Sequence, residues 1–234
     1  VKDLEDFYRI AKKKFDEDPE FKKKAYEKTV LLQKGDPTCR DAWKFICDQS
    51  RNEFNKLYDK LDIKLEEMGE SFYDPICRKL VEDLKDKGTI VLDEGAYVLK
   101  IPDYKLPLML VKSDGGLTYD TTDLAALFYR FNEMKRDWII YVVGSEQELH
   151  LKLLFEAGKI CGWHNPPQTR TDHMAFGLIL GKDGKKISTR NPSGEPVKLV
   201  YLLDEAKARA KKELETRMTE HKTEFTEEYI ESAS

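Results

Sequence analysis

A chain of 234 residues is long enough to bury one sizeable core or two small ones. Charged residues make up 36% of it, yet 40 lysines and arginines against 44 aspartates and glutamates leave a net charge of −4, so there is no chain-wide electrostatic footprint for nucleic acid. No apolar run approaches the roughly 20 residues of a membrane span, and the opening VKDLEDFYRIAKKKF is charged and amphipathic; neither a membrane protein nor a secretory leader is expected, and cytoplasm is the default.

Residues 1–65 read as helical. Asp36-Pro37 opens the clearest helix, because proline is tolerated in a first turn, and Trp43, Ile46, Cys47, Ser50, Phe54, Leu57 and Leu61 follow at three- and four-residue steps. That stripe must pack against something. The segments before it are more charged, and their lysine runs, Lys12–Lys14 and Lys22–Lys24, read as solvated faces, with RNA contact the alternative. From Ile63 the pattern shortens into β-rich pieces, IKLEE, GTIVLDEGAYVLKI and PLMLVKS, interrupted by a helix-like Pro75 to Lys87. Asp93-Glu94-Gly95 is a hairpin signal, and 66–112 reads as a small α+β insertion.

After Gly115-Gly116 the elements alternate: helix 121–135, an apolar strand Trp138 to Val143 of the kind buried in parallel sheets, helix 146–161, and strand His173 to Leu180. A loop rich in glycine and lysine, 181–196, and a helix from Leu199 complete the pattern. The expected class is α/β, with 113–198 forming part of a Rossmann-like domain flanked by helices, the last of them in 199–234. One crossover unit is too little sheet for a complete doubly wound domain. The cysteines, Cys39, Cys47, Cys77 and Cys161, lack CxxC spacing and read as reduced structural thiols, so no metal site is expected.

Three stretches could carry chemistry. In Tyr119-Asp120-Thr121-Thr122-Asp123, Thr121 or Thr122 suits an N-cap, which puts Asp123 in the first turn of a helix, with Tyr119 four residues before it. A carboxylate there is either a helix-capping acid or an acceptor for a guanidinium, with which it forms parallel charge-assisted bonds. After the apolar strand come Gln147 and, three residues on, His150; they either face a ligand at the carboxyl edge of the sheet or belong to a helix capped by Ser145 with a packed histidine. The loop Gly181-Lys182-Asp183-Gly184-Lys185-Lys186-Ile187-Ser188-Thr189-Arg190 is dense in cations, as a developing pyrophosphate requires, or is a generic basic loop; its spacing is not that of a P-loop.

In order and spacing, the Y-x-x-x-D pair, Gln-x-x-His after the strand, the H-x-x-F-G strand and the degenerate K-x-S-T-R loop resemble arginyl-tRNA synthetases, and the upstream helices and insertion resemble the eukaryote-type members. The resemblance implies a ligase of arginine to tRNA(Arg), with L-arginine and ATP with Mg2+ as substrates, acting as a monomer. It implies that Asp123 takes the guanidinium, that Tyr119 covers it and that Gln147 joins the same pocket. His150 would lie near amino acid and nucleotide, and His173, Phe176, Gly177 and Leu178 would line the adenine side of the ATP site. Lys185, Lys186, Ser188 and Arg190 would be the catalytic loop, Lys186 also binding ATP, where class I synthetases carry K-M-S-K-S, although Thr189 replaces the second lysine. No H-I-G-H motif occurs, so the chain is expected to be the carboxyl-side part of a catalytic domain, itself inactive, running towards an anticodon-binding domain. A synthetase-like scaffold that has lost catalysis is the alternative.

Overall fold

The computed structural model describes residues 4–177 and 199–221. Two compact units divide the chain, Val1–Leu65 with Leu180–Ser234, and Glu66–Ile179. The first unit begins with α1 (Leu4–Glu17), α2 (Pro19–Gln33) and α3 (Pro37–Lys60). Both later helices start on an acid followed by proline. Asp18 accepts the N–H groups of Glu20 and Phe21 at 3.0 Å, and Asp36 accepts that of Cys39 at 2.9 Å. The acid satisfies donors that a helix start leaves orphaned, and proline in the first turn has none to lose. The apolar stripe of α3 is nevertheless not buried: Trp43, Ile46 and Phe54 are 39%, 46% and 57% exposed.

The second unit holds the core. Its first helix, α4 (Glu70–Asp86), starts five residues before the expected Pro75. Proline inside a helix forfeits one intrahelical bond, and aromatic packing offsets that loss. Tyr73 is buried, and the rings of Phe72 and Tyr73 meet Tyr129 edge-on at 5.1 and 6.1 Å. The expected hairpin forms between β1 (Val91–Asp93) and β2 (Ala96–Leu99), with Glu94 and Gly95 both at positive φ, 48° and 83°. That geometry matches the twist of the flanking strands, and glycine meets it without a Cβ penalty. The antiparallel sheet ends in β3 (Leu108–Val111). IKLEE, by contrast, forms no strand, and Ile63 and Leu65 are exposed.

Helix α5 (Tyr119–Phe128) begins earlier than expected, with Thr118 as its N-cap rather than Thr121 or Thr122. The reason lies in β3. Thr118 Oγ1 donates to the Met109 carbonyl, and the fully buried Thr121 uses its hydroxyl to reach the Leu110 carbonyl at 2.5 Å. Asp123 therefore lies beyond the first turn. The helix passes into a π-helical turn, Tyr129–Glu133, and Lys135 at φ 54° ends it. Then come β4 (Trp138–Gly144), a 3-10 turn Ser145–Gln147, α6 (Glu148–Ile160) and β5 (Arg170–Phe176).

Strands β4 and β5 pair in parallel from Trp138 opposite Arg170 to Gly144 opposite Phe176. β5 thus starts three residues before His173, where Asp172 accepts the Trp138 indole N–H at 2.7 Å and the Arg170 guanidinium lies over the Trp138 ring. On one face of the pair Ile139 is buried and Tyr141 packs on Phe155 of α6; on the other, Trp138, Ile140, Val142, Met174 and Phe176 are exposed. β4 is therefore half-covered rather than buried on both faces. The last described helix, α7 (Leu199–His221), belongs to the first unit, where Lys60 pairs with Asp204.

Leu99, Leu108 and Leu110 of the sheet interlock with Leu124 and Leu127 of α5 and Leu154 of α6, all at most 1% exposed. Each such burial contributes about 1.5–3 kcal/mol. At Gly158 the contact of α6 with α5 is so close that an added Cβ would stand 2.7 Å from Leu127 Cδ2. His164, 5% exposed, plugs the end of this core: its ring stacks on Phe131, Nδ1 meets Thr169 Oγ1 at 3.0 Å and Nε2 meets Thr171 Oγ1 at 3.2 Å. Burial, helped by the charge of Lys159 and opposed by that of Glu156, holds its pKa below the ordinary value.

Thr121→Val leaves the Leu110 carbonyl without its donor at nearly unchanged volume; denaturant unfolding should show a loss of about 1–3 kcal/mol, and an unchanged midpoint would refute that role. Because the unfolded chain takes up the His164 proton first as pH falls, the stability this residue confers is full above about pH 6.5 and is lost towards its lower folded value. The stability difference between the native chain and His164→Gln should accordingly move in the variant's favour as pH falls below about 6.5; a difference that stays constant with pH would show that another group titrates.

Candidate functional site

The site grows from the first turns of α5 and α6, which pack against one another. Tyr119 and Asp123 are one helical turn apart and share a face of α5. His150 lies in the first turn of α6 and fills the space beside them. Its Nε2 is 2.7 Å from Asp123 Oδ2, and its ring centroid is 5.0 Å from that of Tyr119. The Asp123 side chain is 44% exposed and that of His150 13%, so the carboxylate lies between the imidazole and solvent.

A residue that the sequence reading passed over completes the group. Asp120 is 8% exposed. Its Oδ2 accepts the Met109 N–H of β3 at 3.0 Å, and its Oδ1 lies 3.4 Å from His150 Nδ1 without forming a hydrogen bond. Burial pushes the Asp120 carboxyl above its ordinary pKa, opposed by the charge of His150 and the Met109 N–H. The bond to Asp123 lifts His150 above the ordinary imidazole value, against burial and with help from the Asp120 charge. The Tyr119 phenol is raised as well, first by the charge of Asp120. Nearby, burial pushes the Tyr141 phenol up to about 12 against the pull of the Arg130 guanidinium, which lies over its ring. The available signal for Asp120 was two acids three residues apart on one helix, a spacing that brings their side chains to neighbouring positions.

Gln147 is exposed at the N-cap of α6, where the chain leaves the carboxyl end of β4, one turn before His150. It caps the helix with its backbone alone, and Ser145 opens the 3-10 turn rather than α6. On β5, half-buried His173 lies opposite Tyr141, with Nε2 donating to the Val143 carbonyl at 3.2 Å, while Phe176 and Gly177 are exposed at the carboxyl edge. The structure thus brings Tyr119, Asp123 and His150 together and puts Gln147, Phe176 and Gly177 at the carboxyl edge of the sheet, with His173 midway along β5. Leu178, Lys185, Lys186, Ser188 and Arg190 lie outside the described residues. A separate groove of about 360 Å³ between α4 and the π-helical turn, lined by Pro75, Ile76, Lys79, Leu80, Asp83, Phe128, Tyr129 and Glu133, includes none of these residues.

Comparison with known proteins gives the same family from several directions. The chain is 48% identical over 93% of its length to a cytoplasmic arginine–tRNA ligase of Gallus gallus, covering 32% of that protein. It is 46% identical over its whole length to the cytoplasmic arginine–tRNA ligase of Rattus norvegicus, covering 35% of it. The chain therefore spans about a third of the length of the curated relatives it matches. The crystal structure of arginyl-tRNA synthetase from Plasmodium falciparum superposes with a TM-score of 0.73 at 35% identity, over 86% of this chain and 33% of that one. The family model for tRNA synthetases class I (R), catalytic domain, matches residues 1–232, and the chain belongs to that family, the arginyl-tRNA synthetases.

Proposed function

We propose that this chain supplies the arginine-recognition part of a ligase that joins L-arginine to tRNA(Arg) at the expense of Mg-ATP. The observation that carries this reading is the half-exposed Asp123 carboxylate, fixed on one side by His150 and presented beside the Tyr119 ring. A guanidinium is planar, permanently charged and forked, so a carboxylate held in one orientation meets it with two parallel bonds. Tyr119 covers the bound group with its ring, and Gln147 offers an amide oxygen from the start of α6. Lysine presents a point charge that cannot make the fork, and neutral citrulline leaves the acid unpaired.

The rest of the site follows the sheet edge. His173, Phe176, Gly177 and Leu178 line the adenine side of ATP, and His150 stands between amino acid and nucleotide. Lys185, Lys186, Ser188 and Arg190 meet the phosphates, Lys186 beside the charge that grows on the departing pyrophosphate. In the first step the arginine carboxylate attacks the α-phosphate, giving arginyl-adenylate and pyrophosphate; in the second, the arginyl group passes to the terminal ribose of tRNA. These residues position the reactants and balance charge, and none acts as a nucleophile. The protein works in the cytoplasm, in keeping with its cytoplasmic relatives, and we take it to act as a monomer.

Asp123→Ala in the full-length protein should lower kcat/KM for arginine by about 2–5 kcal/mol, the cost of truncating one partner of a desolvated charge pair. Aminoacylation assays with lysine and citrulline as competitors read the accompanying loss of selectivity. Unchanged arginine kinetics would remove Asp123 from the pocket.

A further inference from the structure

Asp120 is nearly excluded from solvent, meets β3 through the Met109 N–H and α6 through His150, and is not needed to cap α5, a task that Thr118 and Thr121 share. Burying a carboxylate is costly unless it is paired. Its two oxygens have different duties: Oδ2 is tied to the β3 backbone by the Met109 N–H at 3.0 Å, while Oδ1 faces His150 Nδ1 at 3.4 Å. On the opposite side of the same ring, Nε2 is 2.7 Å from Asp123 Oδ2. With Asp123 Oδ2 2.7 Å from Nε2 and Asp120 Oδ1 3.4 Å from Nδ1, the ring can be bonded to the first carboxylate and attracted by charge to the second only as an imidazolium.

We infer that Asp120 is a positioning residue for arginine recognition: from its anchor on β3 it fixes the orientation and charge of His150, and through His150 it holds the Asp123 carboxylate where a guanidinium can meet it. The line from Met109 N–H through Asp120 and His150 to Asp123 runs from a rigid strand to the solvent edge. It also sets the charge of the pocket. Two carboxylates and one imidazolium carry a net single negative charge, which one guanidinium neutralises. Without the imidazolium the pocket would hold two adjacent negative charges, one of them buried, and the outer carboxylate would be free to change rotamer.

This inference rests on the reading of Asp123 as the guanidinium acceptor, and the test separates the two. In the full-length protein, aminoacylation kinetics are measured for Asp123→Asn, Asp120→Asn, His150→Gln and the double variant Asp120→Asn/His150→Gln. Asn at 120 keeps an oxygen for Met109 but presents no negative charge to Nδ1. Asp120→Asn and His150→Gln should each raise the KM for arginine about tenfold, the KM for ATP staying within about twofold, and the double variant should be no worse than the more impaired single one, because both act through the same contact. If Asp123→Asn raises the arginine KM but Asp120→Asn does not, Asp120 is structural and the inference is overturned while the pocket stands. If Asp123→Asn itself is silent, the pocket assignment fails first. Independent, multiplying effects in the double variant, or equal losses in the KM for ATP, would also overturn it. Should Asp120→Asn fail to fold, Asp120→Glu replaces it in the cycle: it keeps the charge but lengthens the arm, and an unchanged arginine KM with that longer arm would refute the positioning role.

Discussion

The constraint on which the site depends is the attachment of the first turn of α5 to an edge strand. Among the described residues β3 ends the antiparallel sheet, and beyond β2 it pairs only through an isolated bridge of Val111 with Leu117, so the groups at Met109 and Leu110 need other partners; an edge left without them is both unsatisfied and open to unwanted pairing. Here they are met by side chains. Thr118 bonds the Met109 carbonyl, Asp120 takes the Met109 N–H and Thr121 bonds the Leu110 carbonyl. Three residues of one helical turn are thereby tied to two residues of one strand. This fixes the rotation of α5 about its axis as well as its position, and rotation decides where Tyr119 and Asp123 point.

The same attachment explains how charged groups survive so near a core built of leucines. Asp120 is held by a backbone donor and a histidine, so its burial costs less than that of an isolated carboxylate. His150 and His164 show how much a histidine's surroundings decide. Within one unit, His150 is flanked by two carboxylates and its pKa rises, while His164 lies between two threonine hydroxyls against Phe131 and its pKa falls. The stability due to His150 is full below the ordinary imidazole value and is lost as pH rises through its raised folded value, opposite in sense to that due to His164. Their contributions to the pH dependence of folding oppose one another, although the residues are of one type.

Much of this was legible because the signals are local. An acid before a proline marked α3, Glu94-Gly95 marked the β1–β2 turn, and the apolar run at Trp138 marked β4. Tyr119, Asp123 and His150 stood out by position, each with a plain structural alternative that spacing left open, and their side chains lie together. What could not be read was whatever depends on a distant partner. The start of α5 at Thr118 rather than Thr121 or Thr122 is set by β3, through contacts nine and eleven residues back along the chain, and the role of Asp120 is set by the same strand. The earlier start of α4 follows from Phe72 and Tyr73 meeting Tyr129, a contact that outweighs the boundary expected from Pro75.

Apolar patterning and burial part company in two places, and for one reason. Periodicity records that a face must be covered, but not by what. β4 alternates a covered face, with Ile139 and Tyr141 towards α6, and an exposed one bearing Trp138, Ile140 and Val142. α3 carries its apolar stripe at helical spacing with no buried residue. Among the described residues only the unit formed by 66–179 encloses a core, and it is this unit that orders the first turns of α5 and α6. The proposed recognition group is therefore built on the unit that encloses a core: Tyr119 and Asp123 come from a helix whose start is bonded to β3, so their orientation is inherited from backbone geometry.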